Sequence, residues 1–172
     1  MKLIRDKFYL ASGYASGVCI ILIMLIILAQ IVGRFFGFIV PSAEDFSGYA
    51  LAAATFFGLA YTFREGGHIR VTLVIQHWPK RIRHLQELGV LAFALALTSF
   101  MDYYCWHMVW ESYVFEEVSY GYIPIPLWMP QVPVGLGALA LNVAVLDDLV
   151  VLLTGGEPSY KPHEGELNLE EV

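Results

Sequence analysis

Residues 9–33 read YLASGYASGVCIILIMLIILAQIVG, and this stretch decides the fold. No charge occurs among the 26 residues between Lys7 and Arg34. A helix needs about 20 apolar residues to cross a hydrocarbon core of about 30 Å. A barrel strand would alternate apolar and polar positions over about 10 residues. Val18 to Ala29 is apolar on every side instead, as a lipid-embedded helix should be. Helices also satisfy their own backbone groups, which lipid cannot do. The basic start, Lys2, Arg5 and Lys7, resembles a signal peptide. A signal core, however, spans only about 7–15 residues and ends at a small-residue cleavage site. This run is longer and ends in Gln30-Ile31-Val32-Gly33-Arg34, so it reads as a retained helix.

Outward from that stretch, three more spans follow. The second covers 46–63 between Asp45 and Arg64, the third 85–110 with Glu87 and Asp102 inside it, and the fourth 131–153 after a proline-rich approach. The whole chain agrees: of 172 residues, 58% are hydrophobic and 15% charged, against about 25% charged in a soluble domain. Mean hydropathy is +0.61. A net charge of −6 gives no sign of a nucleic-acid partner. Cys19 and Cys105 lie in apolar runs and suggest neither a disulfide framework nor a zinc site. The expected fold class is an all-α integral membrane protein with a transmembrane domain over 1–154 and no internal repeat.

Positive charge sets the expected orientation. With both termini cytoplasmic, nine of the ten Lys and Arg lie inside and only Arg34 outside. Ile69, Val71, Val74, Ile75, Trp78, Ile82 and Leu85 recur at helical spacing with bases between them, which predicts amphipathic interfacial helix over 69–84, broken near Pro79. Phe35, Phe36, Phe38 and Ile39 predict a second interfacial segment over 35–41. The aromatic connector around Tyr113, Tyr120, Tyr122 and Trp128 belongs at headgroup level. The acidic tail, 155–172, with Pro158 and Pro162, predicts disorder.

Ionisable groups at membrane depth are functional candidates. Asp102 suggests an ion site, an internal packing contact or a contact to a partner subunit. Asp147 and Asp148 are expected to pair with Arg64, Arg81 or Arg83. His107 and Glu111 share a helix face but have no third ligand partner in the sequence, so no metal site is predicted. A bis-histidine haem needs two histidines at depth, and only His107 qualifies, so no cofactor is predicted either. No nucleophile elbow, phosphate loop or acid–base pair suggests catalysis. Four helices with so few buried polar groups suit an accessory or scaffold subunit better than a conduit.

Three segments then carry a resemblance. Arg34-Phe35-Phe36-Gly37 with Ala43-Glu44-Asp45, Phe63-Arg64-Glu65-Gly66-Gly67-His68-Ile69-Arg70-Val71, and Ile125-Pro126 through Trp128 to Pro133-Val134-Gly135 resemble, in order and spacing, the small membrane subunit of tripartite ATP-independent periplasmic (TRAP) transporters, the DctQ-like family. Relatives often carry a tryptophan just before the acidic pair, where Ser42 stands here. The resemblance implies a subunit of the bacterial inner membrane, without catalysis or cofactor. It would brace a large membrane subunit that moves as an elevator in sodium-coupled uptake of an organic acid delivered by a periplasmic binding protein. Candidate interface or anchoring residues are Arg34, Glu44, Asp45, Arg64, His68, Trp78, Asp102 and Trp128. Membrane phospholipids are the remaining expected partner. Gly13, Gly17 and Gly135 are candidates for close helix approach. The small subunit of a tripartite tricarboxylate system fits the helix count but lacks the Arg34 and Glu44-Asp45 pattern. A membrane anchor of a redox complex would show a haem band.

Overall fold

The computed structural model describes residues 2–64 and 79–156, with side chains from Phe8 onward except those of Lys80 and Arg81. Four helices lie among the described residues: α1 Lys2–Phe35, α2 Ala43–Arg64, α3 Lys80–Val114 and α4 Trp128–Leu153. Each is long and apolar enough to cross a membrane.

Each helix extends beyond its expected span at one end or both, because a helix ends where backbone geometry stops it and not where the apolar run does. Pro79, with φ −58° and ψ 144°, stands immediately before α3. Its missing N–H would be unpaired there in any case. Nothing interrupts helical pairing between Lys80 and Leu85, so the last residues of the expected interfacial helix over 69–84 form the opening turn of α3. Residues 69–78 lie outside the described part. In the segment 35–41, Phe35 ends α1 and the residues beyond it, 36–42, are turns and irregular chain. Gly37, at φ +77°, ends α1, with the Phe38 N–H donating back to Gly33 O at 3.0 Å and the Gly37 N–H to Arg34 O at 3.3 Å. Such left-handed closures satisfy carbonyls that the helix end leaves unpaired. Gly155 closes α4 in the same way. The residue in this position after α3 is Glu116, at φ +51°, a conformation costly for a side chain with a Cβ.

Chain order is not spatial order. α1 packs on α2, α2 on α4, and α4 on α3, so the row reads α1–α2–α4–α3, with α1 and α3 at its edges. α4 is the most buried helix and α1 the least. The core gathers Ala60, Ala140, Leu141 and Val145 where α2 meets α4. The described helices make a row, not a closed bundle around an interior.

Small residues bring the backbones together. A Cβ added at Gly137 would lie 2.6 Å from Phe56 Cβ and 2.7 Å from the Phe56 carbonyl carbon. α1 is held to α2 by hydroxyls: Ser12 Oγ donates to Phe57 O at 2.7 Å and Ser16 Oγ to Ala54 O at 2.8 Å. α3 is held to α4 by the Asn142 amide, which donates to Ser99 Oγ at 3.2 Å. Of the glycines flagged for close approach, Gly13 meets the Tyr61 ring and Gly135 the Trp106 ring within this chain, whereas Gly17 faces open space.

Two substitutions test this packing. Gly137→Ala should lower stability by about 1–3 kcal/mol through overpacking against backbone. Gly48→Ala, at a helical position with nothing within 4 Å, should raise it by about 0.5–1 kcal/mol. Unfolding of the purified chain in detergent reads both.

Candidate functional site

The candidate residues fall at the two ends of the row. At the end bearing the termini, Arg64 closes α2 and reaches across to α4. Its Nη1 lies 2.9 Å from Asp147 Oδ2 and 3.7 Å from Asp148 Oδ1. The guanidinium carbon sits 5.1 Å from the centroid of the Tyr9 ring on α1. Tyr9 is 2% exposed, Asp148 1% and the Arg64 side chain 11%, so the cluster is shielded. One cation thus joins three helices. Its charge also suits the negative end of the α2 dipole. This is the pairing the sequence suggested for Asp147 and Asp148. Tyr9 was missed, because in the sequence it is one more aromatic residue at the start of an apolar run. Arg83 forms an i,i+4 pair with Glu87 at 3.1 Å.

At the far end, Arg34, Glu44 and Asp45 line one cleft of about 530 Å³ with Gln30, Tyr120 and Tyr122. Arg34 stands in the last turn of α1, Glu44 and Asp45 in the first turn of α2, each at the helix end its charge favours. Among the described residues Arg34 forms no ion pair within 4.0 Å with either carboxylate, so the cleft presents both signs of charge separately. Helix-end placement accounts for where these charges lie in the chain. It does not account for their meeting in one open cleft.

A loop that sequence reasoning missed forms one wall. Val118 and Pro126 make an antiparallel bridge, and the Ser119 N–H donates to Ile125 O at 2.9 Å. The tip docks on the start of α2. The Ile123 N–H donates to Ser42 Oγ at 2.9 Å. Gly121 packs against Asp45 Oδ2 and Ser42 Oγ so closely that no Cβ fits. Ser42 is buried at φ +54°. The loop is held by a hydroxyl that a serine just before a helix would ordinarily turn to its own helix. The nearest sequence signal was Ser42 itself, noted only as a departure. Behind the loop, Ser112 Oγ donates to Glu117 Oε2 at 2.7 Å.

The other candidates separate. Asp102 stands on α3 one turn before Trp106, and Trp106 lies against Gly135 of α4. Its Oδ1 is buried with no hydrogen-bond partner among the described residues. Asp102 therefore belongs to the α3–α4 seam. Trp128 opens α4 with its ring edge-on to Tyr113, centroids 6.0 Å apart. His68 and Trp78 lie outside the described residues.

Both ends can be tested. Arg64→Ala, by stranding a buried carboxylate, should cost about 3–5 kcal/mol, and Asp148→Asn in the same chain should return part of it. Gly121→Ala should detach the loop from α2, exposing the 117–127 segment to limited proteolysis that the parent chain resists.

The family model described as "Tripartite ATP-independent periplasmic transporters, DctQ component" matches residues 23–155. That match takes in the far-end cleft, the Arg64–Asp147–Asp148 cluster and the α3–α4 seam. A search of individually curated proteins found no match. With four apolar helices in the described residues and more than three quarters of its length matched, this chain belongs to the DctQ component family of the tripartite ATP-independent periplasmic transporters.

Proposed function

We propose that this chain is the small, non-catalytic permease subunit of its transporter and braces a large elevator subunit during sodium-coupled uptake of an organic acid. A periplasmic binding protein delivers the acid. The chain lies in the bacterial inner membrane with both termini in the cytoplasm, which puts the Arg64 cluster on the cytoplasmic side and the Arg34 cleft on the periplasmic side.

The observation that carries this reading is the row itself. The described helices enclose no polar route across the bilayer. Small residues and hydroxyls between them hold the row together, and its broad outer surface is left for lipid and for a neighbour. An elevator exerts lateral force on whatever holds it. A row crosslinked near both membrane surfaces resists tilt better than separate helices, and aromatic residues at headgroup level hold its depth against phospholipid. Tyr113, Tyr120, Tyr122 and Trp128 stand at the periplasmic end in this orientation. Arg34, Glu44 and Asp45 are then exposed where a docked binding protein or the periplasmic loops of the large subunit would meet them.

Reconstitution tests the proposal. Proteoliposomes with both membrane subunits and the binding protein should accumulate substrate under a sodium gradient, and those with this chain alone should not. Uptake by the isolated chain would overturn the assignment. Glu44→Lys with Asp45→Lys should lower uptake by about tenfold or more if the cleft is a contact surface, since like-charge juxtaposition costs several kcal/mol.

A further inference from the structure

We propose that the cleft at the far end of the row seats the headgroup of an ethanolamine phospholipid, its phosphate against Arg34 and its ammonium against Glu44 and Asp45. The inference requires only that the four helices span a bilayer. It takes nothing from the transport role proposed above.

Depth brings the cleft to the headgroups. The apolar part of α1, Phe8–Phe35, has 28 residues and is about 42 Å long. A bilayer measured through its headgroup regions is about 40–45 Å thick. Arg34, in the last turn of α1, therefore stands among headgroups and not beyond them. Glu44 and Asp45 line the same cleft and share its level. Its volume of about 530 Å³ falls within the range of small-molecule sites, about 300–1,000 Å³.

The charges in the cleft suit a zwitterion. One guanidinium shares the space with two carboxylates, so the lining is negative on balance and an anion alone would be repelled. The ligand has to bring a cation of its own. Among the described residues Arg34 forms no ion pair with either carboxylate, so each sign is open to a different group of one ligand. The planar fork of a guanidinium matches phosphate oxygens. A primary ammonium donates up to three hydrogen bonds to carboxylates, which a quaternary ammonium cannot do. Helix ends favour a base on α1 and acids on α2 wherever those ends lie. They do not explain the third wall, where a loop pinned to Ser42 carries Tyr120 and Tyr122 over the same space.

The surface below the cleft marks the ligand as an amphiphile. On α1, Ile31, Ile27 and Ile20 precede Arg34 by three, seven and fourteen residues, which puts them on its face, and all three are exposed. On α2, Leu51 and Thr55 follow Glu44 by seven and eleven residues and are likewise exposed. The Thr55 hydroxyl donates to Leu51 O of its own helix at 2.8 Å, so it asks nothing of its surroundings. Gly48, one turn below Glu44, has nothing within 4 Å of where a Cβ would stand. A charged cleft thus runs straight into apolar helix surface with room beside Gly48, as a headgroup runs into its acyl chains. A soluble ammonium phosphate shares the headgroup's chemistry but has no use for that surface.

The full chain, purified in mild detergent, is titrated with ethanolamine, choline and glycerol phospholipids of identical acyl chains and read by native mass spectrometry. One ethanolamine lipid per chain should be retained, at about tenfold lower concentration than either of the others. Arg34→Gln, and Glu44→Gln with Asp45→Asn, should each weaken that retention about tenfold or more. Arg34→Lys should keep most of it, and Glu111→Gln, outside the cleft, should leave it unchanged. Melting temperatures without added lipid show that each variant is folded. Glycerophosphoethanolamine, which has the headgroup and no acyl chains, should not displace the lipid. Equal retention of the three lipids, retention that survives both sets of charge removal, or displacement by the soluble headgroup would overturn the inference. So would a photo-reactive group at Tyr122 that captures another protein in the assembled transporter while no ethanolamine lipid is retained. Loss of uptake with lipid retention intact would count against the transport role alone, and loss of retention with uptake intact against this inference alone.

Discussion

Lipid removes the force that usually assembles helices. Hydrocarbon is as apolar as leucine, so helices in a membrane gain little by hiding leucine from it and must hold together by close approach and polar contacts. The rest of this structure follows from that constraint. Where α2 meets α4, glycine and alanine let backbones approach until Gly137 rests on the backbone of Phe56 and Phe57. Where α1 meets α2, serine hydroxyls reach the carbonyls of Phe57 and Ala54. Where α3 meets α4, an amide meets a hydroxyl. Each seam has its own device, and each is weak by itself.

The ends of the row are held differently from its middle. At the terminal end a buried cation gathers two carboxylates and a tyrosine ring from two other helices. At the far end a hydrogen-bonded loop between α3 and α4 leans on the start of α2 through Ser42 and Gly121. The first device uses charge where lipid and water are both excluded. The second uses backbone groups where water is at hand and an ion pair would contribute little. Between them the four helices are clamped near both surfaces, and their outward faces remain free.

How much of this the sequence revealed depended on the range of the interaction. The four spans were legible because apolar length is a local property, and Asp147 and Asp148 could be matched to a short set of bases, Arg64, Arg81 and Arg83, because few charges lie at that depth. Helix ends were less legible. The first span was read as ending at Gly33 and the third as starting at Leu85, whereas α1 turns at Gly37 and α3 begins after Pro79, and Glu116 occupies the same kind of left-handed turn as Gly37 without the glycine that would announce it. The order α1–α2–α4–α3 was not legible at all, since no local pattern says which span lies beside which. For the same reason the roles of Tyr9, Ser42 and Gly121 could not be read: each depends on a contact with a residue dozens of positions away. Asp102 was noticed as a charge in a membrane, but only the position of Trp106 against Gly135 shows which side of α3 it occupies.

The exchange of places between α3 and α4 bears on how the chain is made. Ribosomes deliver the spans in numerical order, so α3 enters the membrane before the helix that will separate it from α2 exists. Until α4 emerges, α3 carries Asp102 into lipid with no neighbour along its seam. Biogenesis of this protein therefore includes an interval in which α3 waits without the partner its seam requires, and the last helix translated is the wedge that completes the row.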